Sequence, residues 1–228
     1  MRWVLILRGV IALGLLTGLA AAGLAQTYDT LRICTYNVLN YPPSDTSKNS
    51  SFRKILRAID PDVLVVQEMN SSSGLTQFLN NVMNAGRPST YTAAPYSSDS
   101  SDNGMFYKSS KLSFVSPVQI IHTDPRHLNG YRLRPVGVGS DSVDIQIYSV
   151  HLKASEGSEN QERRAVAAES LRTRLTSLPD GGFFIGAGDM NLYTSGEAAW
   201  ANLTESRADN SGRLYDPLNR VGSWSDNA

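Results

Sequence analysis

The chain has one cysteine, Cys34, and only three histidines in 228 residues. A lone cysteine excludes an internal disulfide, and so few scattered Cys and His residues exclude the usual zinc spacings. There is no glycine-rich phosphate loop, because Gly181-Gly182 lacks the following Lys-Ser/Thr. No Gly-x-Ser-x-Gly occurs, so a serine-hydrolase elbow has no support. Neither sign of charge is in excess, with 21 Lys+Arg against 21 Asp+Glu. That argues against a protein held on nucleic acid by bulk charge and leaves room for a local basic groove. Long apolar runs are absent after the first 25 residues, so no later stretch could cross a membrane.

The beginning of the chain does carry such a run. Met1 to Arg8 is a short basic start, and Gly9 to Ala25 is uncharged and rich in Leu and Ala. This predicts a secretory signal peptide over 1–25, cut after Ala25, with Ala20-Ala21-Ala22 as a second small-residue site and an uncleaved anchor as the alternative. Export then implies a secreted, periplasmic or cell-surface protein with no stable membrane insertion after cleavage. An exported chain without disulfides rests on its core alone, which fits a bacterial source better than an animal one. Residues 26–228 are one domain's worth of chain. Losing Arg2 and Arg8 takes Lys+Arg from 21 to 19 against 21 Asp+Glu, a net of −2.

Strands and helices alternate along that domain. Apolar runs predict strands at Leu31 to Val38, Val63 to Glu68, Tyr91 to Tyr96, Gly104 to Tyr107, Leu112 to Ile121 and Phe183 to Gly188. Arg132 to Val138 and Val143 to Val150 read as a hairpin over Gly139-Ser140-Asp141-Ser142. Helical spacing marks Phe52 to Ile59, Ser73 to Asn84 and Asn160 to Leu178, the last with Val166, Ala167, Leu171 and Leu175 inward. Ala198 to Leu203 is a short helix. Cys34 reads as a small buried strand residue. Strands in both β-helix-β and hairpin contexts predict an α/β (α+β) fold with mixed sheets, not a doubly wound parallel sheet.

Four phrases each place an O- or N-bearing side chain at the tip of an apolar strand. They are Thr35-Tyr36-Asn37, Val66-Gln67-Glu68, Ser149-Val150-His151 and Gly188-Asp189-Met190-Asn191. Strand ends converging on one sheet edge would gather Asn37, Glu68, His151, Asp189 and Asn191 in one cleft. That donor set suits a hard divalent cation and a phosphate ester.

In order and spacing these phrases resemble the endonuclease/exonuclease/phosphatase superfamily, the fold of pancreatic deoxyribonuclease. The resemblance covers nearly all of Leu31 to the end. It implies a four-layer sandwich of two mixed β-sheets flanked by helices. It implies metal-assisted phosphoester hydrolysis in which Glu68 holds Mg²⁺ with support from Asn37. Mn²⁺ is a substitute and Ca²⁺ an alternative structural ion. Asp189 would activate the attacking water, His151 would stabilise the phosphate charge or take part in proton transfer, Asn191 would hydrogen-bond the phosphate, and Asn37 and Arg134, the latter with Arg132 competing, would bind phosphate. Lys153, Tyr107, His122 and His127 are weaker candidates for substrate contact, each with a surface or core role as the plainer reading.

The resemblance also implies a further Asp and a Ser-Asp-His triplet after Asn191. Ser225-Asp226-Asn227 carries Asn where that His would stand, so the domain is expected to be incomplete at its C-terminus. The expected partner is a nucleic acid or small phosphodiester substrate, and the protein is expected to be a monomer. The favoured reading is a secreted nuclease or phosphodiesterase. The alternatives are a sphingomyelinase-like or other small-phosphoester hydrolase, and an inactive module that binds a phosphorylated ligand.

Overall fold

The computed structural model describes residues 30–42, 46–98, 102–179 and 182–224. The predicted signal peptide and Ser225-Asp226-Asn227 lie outside the described residues. Among the described residues no helix is long and apolar enough to cross a membrane.

The first half of the fold opens with β1 (Ile33–Tyr41), α1 (Lys48–Ile59) and β2 (Val63–Met69), a β-helix-β unit whose strands pair in parallel. Asp60 ends α1 in the left-handed conformation, its N–H bonded to Leu56 O, and Pro61 blocks further helix. Next come α2 (Ser72–Phe78), β3 (Tyr91–Ala93) and β4 (Asn103–Lys108). β4 runs antiparallel to both β2 and β3, so the sheet is mixed, with order β1-β2-β4-β3.

The second half inverts that plan. β5 (Leu112–Ile121), β6 (Leu128–Pro135) and β7 (Ile145–His151) pair antiparallel, and α3 (Ser158–Thr176) leads to β8 (Phe183–Asp189), parallel to β7. The order is β5-β6-β7-β8, followed by α4 (Ala198–Thr204). The expected pair of mixed sheets flanked by helices is therefore what the chain forms.

Strand alternation sorts the core into layers. Leu64 and Val66 of β2 pack with Phe52, Leu56, Leu75 and Phe78 of the first two helices. Val63 and Val65 face the other way, onto Met105, Leu133 and Ile147 between the sheets. Tyr148 and Val150 of β7 pack on Ala167, Leu171 and Leu175 of α3.

Several boundaries differ from the sequence reading. The helix expected over Ser73 to Asn84 is α-helical only to Phe78 and then widens into a π-helical turn, Leu79–Met83. Asn84 closes that turn by bonding both the N–H and the C=O of Tyr91 (2.9 Å each), which anchors it to β3. Val166 is exposed, because the buried stripe of α3 includes Arg164 and Arg172, whose charges mask the helix face in the sequence. Cys34 is half-buried, not buried.

Candidate active site

The two parallel pairs, β1–β2 and β7–β8, bring four strand ends to one edge of the sandwich. Odd-numbered positions on these strands face the gap between the sheets, as Ile33, Val63, Val65, Ile147 and Ala187 show by packing together there. The same parity aims Asn37, Gln67, His151 and Asp189 into that gap. Gln67 Nε2 reaches Ser149 Oγ across the sheets at 3.3 Å, and Ser149 Oγ donates to Asn103 Oδ1 at 3.0 Å.

Glu68 is even-numbered, and regular pleating would send it toward the helices with Leu64 and Val66. Its backbone instead turns left-handed, with φ 61°. Such a conformation is costly for a side chain with Cβ and persists where surrounding contacts hold it. Here Asn40 N–H donates to Glu68 Oε2 (3.1 Å), and Asn37 Nδ2 donates to Glu68 Oε1 (2.8 Å). β1 deforms to match: Leu39 and Asn40 are also left-handed, and the β1–β2 register shifts between Asn37 and Tyr41.

Asn37 Nδ2 also donates to Asp189 Oδ2 at 3.1 Å, so one amide joins a carboxylate from each sheet. His151 stands opposite Asp189 in the β7–β8 register, and its Nε2 lies 3.9 Å from Glu68 Oε1. Gly188 permits this approach, because a Cβ there would lie 1.8 Å from Val150 O. Burial, together with the charge of Arg126, lowers the His151 pKa below its ordinary 6.5, against the opposing pull of Asp189, Glu68 and Asp102. The imidazole is thus neutral at neutral pH, and its buried Nδ1 has no partner among the described residues.

Asn191 lies just past the end of β8. It is left-handed (φ 48°), and its N–H donates to Asp189 Oδ1 at 3.0 Å, an Asx turn that fixes the carboxylate. Its Nδ2 donates to Leu152 O at 3.1 Å.

Arg134 is not in this cleft. It lies near the far end of β6, paired through Nε and Nη2 with Asp144 (2.5 and 2.9 Å), and Arg132 binds the same carboxylate at 2.6 Å. The sequence predicts a start for this strand at Arg132. The strand begins at Leu128, and antiparallel pairing of Asn129 with Ser149 puts the residues just before β6, not Arg134, beside His151. The arginine found there is Arg126, whose Nη1 donates to Leu152 O at 3.2 Å, the carbonyl that Asn191 also binds. Its sequence signal is an isolated cation in Thr123-Asp124-Pro125-Arg126. Of the weaker candidates, Tyr107 is core, Lys153 donates to Ala154 O (2.9 Å), and His122 and His127 meet edge to face with ring centroids 4.5 Å apart.

Among the described residues no three His, Cys, Asp or Glu side chains form a cage for a metal. The donor chemistry still fits a hard cation. Glu68 is partly exposed and meets only amide donors and a neutral imidazole, and Mg²⁺ is commonly held by one or two carboxylates with waters and substrate oxygens.

Two mixed sheets back to back, with carboxylates, amides and a buried imidazole at one edge, define the class: an α/β sandwich of the phosphoesterase type. The profile described as Endonuclease/Exonuclease/phosphatase family matches residues 34–225, and the chain belongs to that family. Comparison with curated proteins found no match. Among solved structures, the human Nocturnin catalytic domain is similar at a TM-score of 0.59 and 17% identity, over 77% of this chain and 70% of that one. D. rerio TDP2 complexed with single strand DNA product gives 0.55 and 20%, over 72% and 62%. Sphingomyelinase C from Streptomyces griseocarneus gives 0.55 and 17%, over 77% and 68%. At these identities the likeness is one of fold.

Proposed function

We propose that the protein is a divalent-metal-dependent phosphodiesterase acting on nucleic acid. The observation that carries this reading is the joining of Glu68 and Asp189, one from each sheet, through the Asn37 amide beside the neutral His151. Glu68, with Asn37 in support, would hold Mg²⁺ or Mn²⁺, and the ion when bound supplies Lewis-acid polarisation of a phosphoryl oxygen. Asp189, oriented by the Asn191 N–H, directs the attacking water. His151 and the Asn191 amide donate hydrogen bonds to the developing charge, and Arg126 replaces Arg134 as the phosphate-binding cation.

Export by residues 1–25 belongs to the same proposal, and sequencing the N-terminus of the secreted product should read from Gln26. The activity is tested by assaying a single-stranded oligonucleotide, a simple phosphodiester and sphingomyelin with Mg²⁺ or Mn²⁺, and again with chelator. Metal-dependent cleavage of the oligonucleotide, lost in Glu68→Gln, is the expected result. Turnover of sphingomyelin alone would move the assignment to a lipid phosphodiesterase, and binding of the oligonucleotide without any turnover would replace the enzyme with a phosphate-binding module.

A further inference from the structure

The loops that follow β8 enclose an open cleft of about 740 Å³ whose lining includes Asp189 and Asn191. Trp200, Trp224, Leu218 and Arg220 line the same space. The two indoles are a pair, with ring centroids 5.1 Å apart and planes at 50°. Trp224 is carried on a segment that the backbone pins in place. Its N–H donates to Tyr193 O (2.8 Å), Ser195 N–H donates to Gly222 O (2.9 Å), and Thr194 pairs with Ser223. The Asp216 carboxylate is engaged by the N–H groups of Leu218 (3.0 Å) and Arg220 (2.7 Å), which shapes the loop bearing Arg220. The Arg220 guanidinium is exposed and has no hydrogen bond or ion pair among the described residues.

A guanidinium unpaired among the described residues and two indoles, lining the same cleft as Asp189 and Asn191, select a ligand that is both aromatic and anionic. Indoles alone would also accept a quaternary ammonium headgroup. The cation of Arg220 in the same cleft opposes that ligand and favours phosphate. We propose that this cleft is a nucleotide subsite. The Trp200–Trp224 pair receives the nucleobase adjoining the attacked phosphate, and Arg220 binds the next phosphate along the strand. The inference rests on the reading of Asp189 and Asn191 as the phosphoester site, and it names nucleic acid over lipid as the substrate class.

Two of the three tryptophans lie in the cleft, so in a Trp3→Phe background tryptophan emission reports on it alone. The full chain is titrated with AMP, ribose 5-phosphate and phosphocholine without metal. AMP is expected to quench saturably and to bind better than either base-free ligand, and Arg220→Ala, at an exposed position, should weaken AMP binding roughly tenfold. Trp224→Ala should lower the preference for an oligonucleotide over an alkyl phosphodiester roughly tenfold, the scale of one base–aromatic stack. Absence of saturable quenching, equal affinity for ribose 5-phosphate, or tighter binding of phosphocholine would overturn the subsite. Quenching by AMP without hydrolysis of any phosphodiester keeps the subsite and removes the hydrolase reading. Hydrolysis without quenching does the reverse.

Discussion

Glu68 and His151 meet across the gap between the two sheets, the His151 Nε2 lying 3.9 Å from a Glu68 carboxylate oxygen. Neither reaches the other by regular pleating alone, since Glu68 enters the gap through its left-handed backbone. Replacing the carboxylate keeps the shape and removes the anionic ligand proposed for the metal. Glu68→Gln is expected to lower kcat by about 10²–10³-fold or more, comparable with loss of a preorganised charge-stabilising group. Mg²⁺ at about 100 times its Kd should stabilise the native protein by ~2.7 kcal/mol, and this gain should vanish in the variant. Thermal melts with and without Mg²⁺ measure it, and an unchanged Mg²⁺ response in Glu68→Gln would place the ion elsewhere.

The phosphate role proposed for Arg126 can be separated from the structural role of Arg134. Arg126 shares the Leu152 carbonyl with Asn191, whereas Arg134 is paired with Asp144 at the other end of β6. Arg126→Ala is expected to reduce kcat/KM by about tenfold or more, the size of a lost charged hydrogen bond. Arg134→Ala should lower Tm and keep kcat/KM close to that of the parent. Steady-state kinetics on the two variants side by side decides between them, and the opposite ranking would restore Arg134.

Gly188 has no room for a side chain, because a Cβ would stand 1.8 Å from Val150 O. Gly188→Ala must push β8 from β7 just where Asp189 faces His151. A stability loss of about 1–3 kcal/mol, accompanied by loss of activity, is expected from denaturant titration and rate measurements. Full activity in this variant would show that the β7–β8 spacing does not set the site.

Arg164 and Glu197 form an ion pair buried on both sides, with Nε 2.7 Å from Oε2. Arg164 also donates to Lys153 O and Ser155 O, and Glu197 accepts from Tyr193 N–H, so the pair ties down the loops after His151 and after Asn191. Glu197→Ala leaves a buried guanidinium without its carboxylate and should cost about 3–5 kcal/mol. Urea unfolding checks the figure, and a cost near zero would mean that solvent reaches Arg164.

Acid stability should depend on Asp144. The Arg134 hydrogen bond, reinforced by Arg132 and outweighing burial, holds its carboxyl below the ordinary 3.8. The unfolded chain then binds more protons between the two pKa values, so this contribution is present above pH 3.8 and is lost as pH falls through the folded value. Tm measured against pH should show a shallower acid limb in Asp144→Asn, and an unaltered limb would assign acid unfolding to other carboxylates such as Asp62.

Much of the architecture is legible in the chain because burial leaves a periodic trace. Val63 to Val66 must be a strand covered on both faces, and Phe52 and Leu56 must share a helix face, whatever surrounds them. Polar residues at the tips of such strands, Asn37, His151 and Asp189, can be picked out by the same reasoning, since strand parity carries their direction.

What local pattern cannot carry is anything set by a partner far along the chain. The aim of Glu68 depends on a left-handed residue held by Asn37 and Asn40 from another strand. The choice of Arg126 over Arg134 depends on where β6 starts against β7, and a shift of four residues exchanges the two ends of the strand. Asp144, whose two arginines look like phosphate binders when read along the chain, reveals their use only once the hairpin closes. Sequence by itself determined the layers and the residue types at the cleft, because those follow from local periodicity. Tertiary structure alone decided which side chains enter it, because register and backbone strain are long-range quantities.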